Sequence, residues 1–191
     1  IFNKFTSKKG KTNMKTLIGI DIQPDFITGA LANKDAEAII PDIVEFIKNW
    51  QGPVVFTRDT HVDGIYENSL EGKYLPADKG LKHCIHGTDG WMVRQDVANA
   101  AGAKVQAVID KPTFGYTDWN NEGLQRIIAQ AEEIVLIGFC TEICVVANAV
   151  ILRAMFPDKP IKVIAKLTEG VTKEAKEHAL AVLRAQEIEV I

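Results

Sequence analysis

The chain has 191 residues, 47% hydrophobic, 25% charged and 7% aromatic, which fits one ordinary globular domain and excludes a disordered or fibrous chain. Lys plus Arg is 22 against 25 Asp plus Glu, a net charge of −3, so there is no electrostatic footprint for nucleic acid or an anionic membrane surface. The three cysteines, Cys84, Cys140 and Cys144, are an odd number that does not suggest a disulfide framework and fits a reducing compartment.

Residues 1–14, IFNKFTSKKGKTNM, are basic and polar, with no apolar run of signal-peptide length. They read as a flexible N-terminal extension, natural or added upstream, with Met14 at or near the natural start. Residues 15–191 read as a single domain. No run approaches 18 apolar residues, the length a spanning helix needs, and the expected location is the cytoplasm.

From there, short apolar runs alternate with stretches of helical period. Strands are predicted at Thr16–Ile22, Pro53–Thr57, Val105–Asp110, Ile134–Phe139, Ile161–Ala165 and Ile188–Ile191. They are β-branched and apolar on both faces, as strands covered by helices on both sides are. Helices are predicted at Asp35–Trp50, Trp91–Ala100, Asn120–Ala131, Glu142–Met155 and Lys173–Ala185. Pro41 suggests that the long helix of the first stretch starts near it, with proline in the first turn. The alternation predicts a three-layer α/β/α sandwich around a mostly parallel, Rossmann-like sheet of about six strands. One long irregular stretch, Arg58–Gly90, carries His61, His83 and His86, and loops of that length are usually functional. There is no internal repeat and no Gly-rich phosphate motif.

In such a sheet the ligand site lies beyond the carboxyl ends of the strands. The first run ends at Asp21, the third at Asp110 and Lys111, and the fourth at Gly138 and Phe139. After the fourth, Cys140, Thr141 and Glu142 lead into a helix carrying Cys144. A carboxylate, an ammonium and a thiol thus reach one edge. With Thr141 as N-cap, Cys144 falls in the first helical turn, where the dipole favours a thiolate and Lys111 lowers its pKa further. Asp21 can take the thiol proton and return it to a leaving amine, and the backbone N–H groups of Cys140 and Cys144 can form an oxyanion hole. Taken singly, each group has a plainer explanation. A helical cysteine is usually a small buried hydrophobe, an aspartate at a strand end a turn former, and a lysine after a strand solvated. Asp25 reads as a turn or cap carboxylate, and Cys84 and Cys140 as packing thiols.

The second strand runs into TRDTHVDG. Asp59 and His61 are two apart, on one side of an extended chain. Glu67, Glu71, His83 and His86 follow in the same stretch. Carboxylates with two imidazoles suit a divalent ion of the Zn, Mn or Fe type, whereas a surface loop with solvated histidines would carry the same residues to no purpose.

The segments IGIDIQPDF, FTRDTH, HCIHGTDGW, DKPTFGYT and IGFCTEICVVANA, in that order, resemble the isochorismatase-like cysteine hydrolases, and within them the nicotinamidases. GFCTEICV is the most specific. The resemblance implies a triad of Asp21, Lys111 and Cys144 and a non-proline cis peptide between Phe139 and Cys140. It implies metal ligands at Asp59, His61 and His83, with Glu71 the best candidate for the remaining position and Glu67 second. Phe26 matches a ring-pocket position, with Trp91 and Tyr116 as further pocket candidates. The implied reaction is hydrolysis of nicotinamide to nicotinic acid and ammonia through a thioester on Cys144, the pyridine nitrogen held by the metal, in a homo-oligomeric enzyme acting on a small-molecule amide. Two other readings stand beside it: hydrolysis of another small amide or carbamoyl compound with the same triad, and a non-catalytic binding domain.

Overall fold

A computed structural model describes residues 14–191. The extension predicted at the N-terminus, apart from Met14, lies outside the described residues. Six strands form one sheet: β1 Lys15–Ile20, β2 Val54–Asp59, β3 Val105–Lys111, β4 Glu133–Phe139, β5 Ile161–Glu169 and β6 Glu189–Val190. Their order is β3-β2-β1-β4-β5-β6, and every pairing is parallel. The sheet edge strand β3 alternates exposed residues with half-buried or buried ones, whereas β1 beyond Lys15 is buried throughout.

Side chains of a strand alternate between faces, and here each face builds its own core. Ile18, Ile20, Val55 and Leu136 pack with Leu124 and Ile128 of α6 (Glu122–Gln130), Leu152 of α7 (Val146–Met155) and Leu180 of α8 (Lys173–Ala185). Leu17, Val54, Phe56 and Ile137 pack on the other face with Ile43 and Ile47 of α3 (Ile40–Asn49) and Val97 of α5 (Gln95–Ala101). Each such aliphatic side chain contributes about 1.5–3 kcal/mol when fully buried, and both faces must be covered. The result is the three-layer sandwich read from the sequence. Asn121 and Thr172 start α6 and α8 by accepting the N–H of Leu124 and Ala175. Among the described residues no helix is long and apolar enough to cross a membrane.

Several boundaries differ from the sequence expectation. The stretch 35–50 holds two helices, α2 (Lys34–Ala38) and α3, separated at Ile39, with Pro41 in the first turn of α3. The helix expected from Trp91 begins at Gln95, because Asp89–Trp91 is a 3₁₀ turn. The helix expected from Glu142 opens as a π turn, Thr141–Val145, with Cys140 at its N-cap. Thr141 makes no cap, and its buried hydroxyl has no hydrogen-bond partner. Two one-turn helices, α1 (Pro24–Ile27) and α4 (Leu70–Tyr74), fall where loops were expected, since one turn is too short to show a 3.6-residue period.

The chain builds β1 to β3 outward, then returns to lay β4 beside β1. That reversal is the topological switch point, where open α/β sheets bind ligands. Gly138 sits there at φ 117°, and a Cβ on it would lie 2.0 Å from the Ile20 carbonyl oxygen. Only glycine lets β4 approach β1 so closely at this level.

Candidate active site

Four strand ends deliver the site. Asp21 follows β1 in a left-handed conformation, φ 47°, which a non-glycine residue keeps only when its surroundings hold it. Thr57 of β2 holds it: the Thr57 hydroxyl donates to Asp21 Oδ1 at 2.6 Å, and the Asp21 N–H donates to the Thr57 carbonyl at 3.2 Å. Lys111 ends β3 and is wholly buried. Its Nζ lies 2.6 Å from Asp21 Oδ2 as a charge contact, and donates to Cys144 Sγ at 3.5 Å and to the Thr113 carbonyl at 3.2 Å. The three expected groups therefore meet in space. The Phe139–Cys140 peptide at the end of β4 is cis.

The electrostatics differ from the sequence expectation at the thiol. Cys144 is only 4% exposed. Burial, reinforced by the Asp21 carboxylate, pushes its pKa well above the usual thiol range, and Lys111 offsets this only in part. The π turn also removes the regular helical first turn on which a dipole-stabilised thiolate depended. Burial thus works against a thiolate at rest. Burial likewise raises Asp21 against the pull of Lys111, as suits a group that takes up and returns a proton. Burial opposes the charge on Lys111, but the carboxylates of Asp21 and Asp59 hold it protonated. Cys140 is raised to about 12 by burial, and Cys84 is raised further for the same reason. Neither is an activated nucleophile.

Asp59, His61, Glu71 and His83 form the second half. One donor atom from each lies within 4.8 Å of all the others. Asp59 Oδ2 is 2.9 Å from His61 Nε2 and 3.4 Å from His83 Nε2, and Glu71 Oε1 is 3.5 and 3.4 Å from the same two nitrogens. His83 Nδ1 is 2.9 Å from the Leu81 carbonyl. A carbonyl only accepts, so Nδ1 carries the proton and Nε2 faces the cluster. Buried Asp59 Oδ1 has no hydrogen-bond partner. Two imidazoles, two carboxylates and an orphaned buried oxygen fit a divalent ion of borderline softness. Glu71, not Glu67, is brought into the cluster; Glu67 pairs with Lys82. His86 stays outside it, packed at a tilt against Trp91 with 4.5 Å between ring centres.

A cavity of about 570 Å³ opens over both halves, its inner wall formed by Phe26, Asp59, Glu71, His83, Cys140 and Cys144. Phe26 packs edge-on against His83, 5.6 Å between centroids. Trp91 and Tyr116, also expected at the pocket, do not line it. Trp91 is under the Arg58 guanidinium, 3.5 Å from the ring centre, and donates Nε1–H to Thr60 at 2.8 Å. Tyr116 packs on Trp119 at 5.3 Å. Asp25 is a brace, accepting the N–H of Cys84 at 2.7 Å and of Ala30 at 3.2 Å.

Two positioning residues escaped sequence reasoning. Buried Gln23 accepts the Asp59 N–H at 2.7 Å and donates to the carbonyls of Asp59 and Trp91, both at 2.9 Å. Buried Asn148 donates to the carbonyls of Cys144 at 2.8 Å and Phe114 at 3.0 Å, and accepts the Tyr116 N–H at 2.9 Å. It ties the nucleophile turn to the segment after Lys111. The available signal was an amide side chain inside an apolar run, in IDIQPDF and CVVANAV.

Residues 15–191 match the isochorismatase domain model, and the chain belongs to that family of hydrolases. Among solved structures it is similar to a nicotinamidase/pyrazinamidase from Bacillus subtilis, with 25% identity, 93% of this chain and 98% of that one covered, and a TM-score of 0.76. The pyrazinamidase/nicotinamidase of Streptococcus mutans is also 25% identical, with 93% and 99% covered and a TM-score of 0.73. A pyrazinamidase of Pyrococcus horikoshii in complex with zinc shares the fold at 24% identity, with 93% and 98% covered and a TM-score of 0.70. A comparison with curated proteins yields no match.

Proposed function

We propose that the chain is a cysteine amidohydrolase of the nicotinamidase type, with Cys144 as nucleophile, Asp21 as general acid and base, and Lys111 as the charge that holds the two together. The observation that carries this reading is the buried Lys111 ammonium, 2.6 Å from Asp21 and 3.5 Å from Cys144, with Cys144 lining a cavity. The two 25% identical neighbours, named as nicotinamidases and pyrazinamidases, support the amide as substrate.

Cys144 Sγ attacks the carboxamide carbon while its proton passes to Asp21. The C–N bond breaks as Asp21 returns the proton to the departing nitrogen, which leaves as ammonia. Asp21 then takes a proton from water, whose oxygen attacks the thioester carbon. The C–S bond breaks, the acid is released and the thiol is restored. Throughout, Lys111 faces whichever group carries the negative charge. The N–H groups of Cys140 and Cys144 serve the oxyanion.

Asp59, His61, Glu71 and His83 would hold a divalent ion, of the Zn, Mn or Fe type, which when bound supplies a Lewis-acid anchor for a heteroatom of the substrate ring. The zinc complex of the Pyrococcus relative and the donor set here support that assignment. Phe26 flanks the ring position.

The test is ammonia release from nicotinamide, pyrazinamide and a set of small carbamoyl compounds, by the intact chain and by Cys144→Ala, with and without chelator. Turnover of nicotinamide that chelator abolishes and that Cys144→Ala lacks supports the reading. Turnover confined to carbamoyl compounds redirects the substrate. No turnover, together with a Cys144 that iodoacetamide fails to label, indicates a binding domain.

A further inference from the structure

The cavity over Cys144 has two unlike zones. Its inner wall carries the thiols, the carboxylates and His83 described above. Its outer wall is mostly apolar, with Leu31, Leu75, Leu81, Phe114, Ile143 and Val171 beside the polar Asn33 and Lys34. The apolar six come from separate places in the chain: the turn after α1, the segment after α4, the segment after Lys111, the π turn and the segment after β5. Two of them, Phe114 at 47% and Val171 at 62%, are large apolar side chains left exposed at the mouth.

Volume adds an independent constraint. Cavities of about 300–1,000 Å³ bury drug-sized ligands, and this one is about 570 Å³. A carboxamide on a single six-membered ring is smaller than the drug-sized ligands such cavities bury, and leaves part of the apolar lining free for a substituent. We infer that the preferred substrate is an aromatic primary amide bearing an apolar substituent on its ring, the amide at Cys144 and the substituent against the outer wall. This rests on the amidohydrolase reading and narrows its substrate class. Burying one methylene is worth about fourfold in affinity. Contact made equally in ground and transition states appears in kcat/KM.

The test measures kcat/KM for nicotinamide and for its 2-, 4-, 5- and 6-butyl derivatives by ammonia release, with the metal-loaded chain. The best butyl derivative is expected to exceed nicotinamide by about tenfold or more, since a few covered methylenes suffice at that increment. Val171→Asp, at an exposed position that folding tolerates, is expected to lower the butyl-to-nicotinamide ratio at least about fivefold by wetting the outer wall. Nicotinamide turnover equal to or above every butyl derivative, or a ratio unmoved by Val171→Asp, overturns the inference and leaves the amidohydrolase reading standing. No ammonia from any amide overturns both.

Discussion

Asp59 Oδ1 lies 3.7 Å from Lys111 Nζ, while its other oxygen contacts both His61 and His83. One aspartate thus belongs to both halves of the site. Burial opposes its ionisation, but the hydrogen bonds of the two imidazoles and the charge of Lys111 hold it well below the usual carboxylate range. Removing its charge should be felt twice. Asp59→Asn is expected to weaken divalent-ion affinity by at least about 10–100-fold, the loss already typical when a mere support of a ligand is removed. The amidase rate should also stay about tenfold low at saturating ion, because Lys111 has lost one of its two carboxylates. Calorimetric ion titration and ammonia release at saturating ion check both. Full recovery of rate at high ion concentration would separate the halves and refute the coupling.

Among the described residues Lys111 is the cation that faces Asp21, and it is fully buried. Lys111→Met leaves the Asp21 carboxylate uncompensated in the interior. Breaking a buried pair in this way costs about 3–5 kcal/mol. Denaturant unfolding should show that loss, and the double variant with Asp21→Asn should recover part of it. A stable Lys111→Met single variant would mean that Asp21 is neutral in the resting protein.

The imidazoles give a pH dependence of definite sign. Burial alone would lower them, but the carboxylates of Asp59 and Glu71 raise His61 to about 9 and His83 to about 10. Both folded values lie above the ordinary value of 6.5. The stabilisation they give the ion-free protein is therefore complete below about pH 6.5 and is lost as pH rises through about 9 and 10. An ion needs the neutral ring, so binding must expel these protons. Between about pH 7 and 9 the ion affinity should climb about tenfold or more per unit, with proton release visible as a dependence of the calorimetric heat on buffer ionisation enthalpy. A pH-independent affinity would place the ion elsewhere.

Gln23 clamps Asp59 through both of its backbone polar groups. Gln23→Leu leaves those groups buried and unpaired, at about 1–3 kcal/mol each in the worst case. Thermal unfolding should shift down, and ion affinity should fall with it. The rate of Cys144 alkylation should stay near the wild-type value, since no Gln23 hydrogen bond reaches the nucleophile turn. An alkylation rate that collapses in parallel would show general unfolding instead.

The sheet was legible because strands covered on both faces are continuous apolar runs. All six runs, from TLIGIDI to IEVI, hold strands, though the first strand ends at Ile20 and the last spans only Glu189–Val190. Single-turn features were not legible: α1, α4 and the π turn at Thr141–Val145 are shorter than any periodic signal. The spacing of Asp59 and His61 was readable in an extended chain. The choice of Glu71 over Glu67 depended on α4 turning one toward the histidines and on Lys82 taking the other, which is tertiary information. So is the thiol. Next to Lys111 it read as a thiolate, while burial, which no local pattern reveals, raises its pKa against that charge. Trp91 was drawn to the pocket by its motif, yet Arg58, paired with Asp110 at 2.7 Å, offers its flat side as the better partner.

The proposed reaction passes through a covalent bond to Cys144. The chain would be mixed with a primary amide substrate, quenched in acid within a turnover, digested and read by mass spectrometry. An acyl group carried by the peptide containing Cys144, absent in Cys144→Ala along with all ammonia release, is the predicted result. An acyl group on Cys84 or Cys140, or amide hydrolysis that persists in Cys144→Ala, would contradict it.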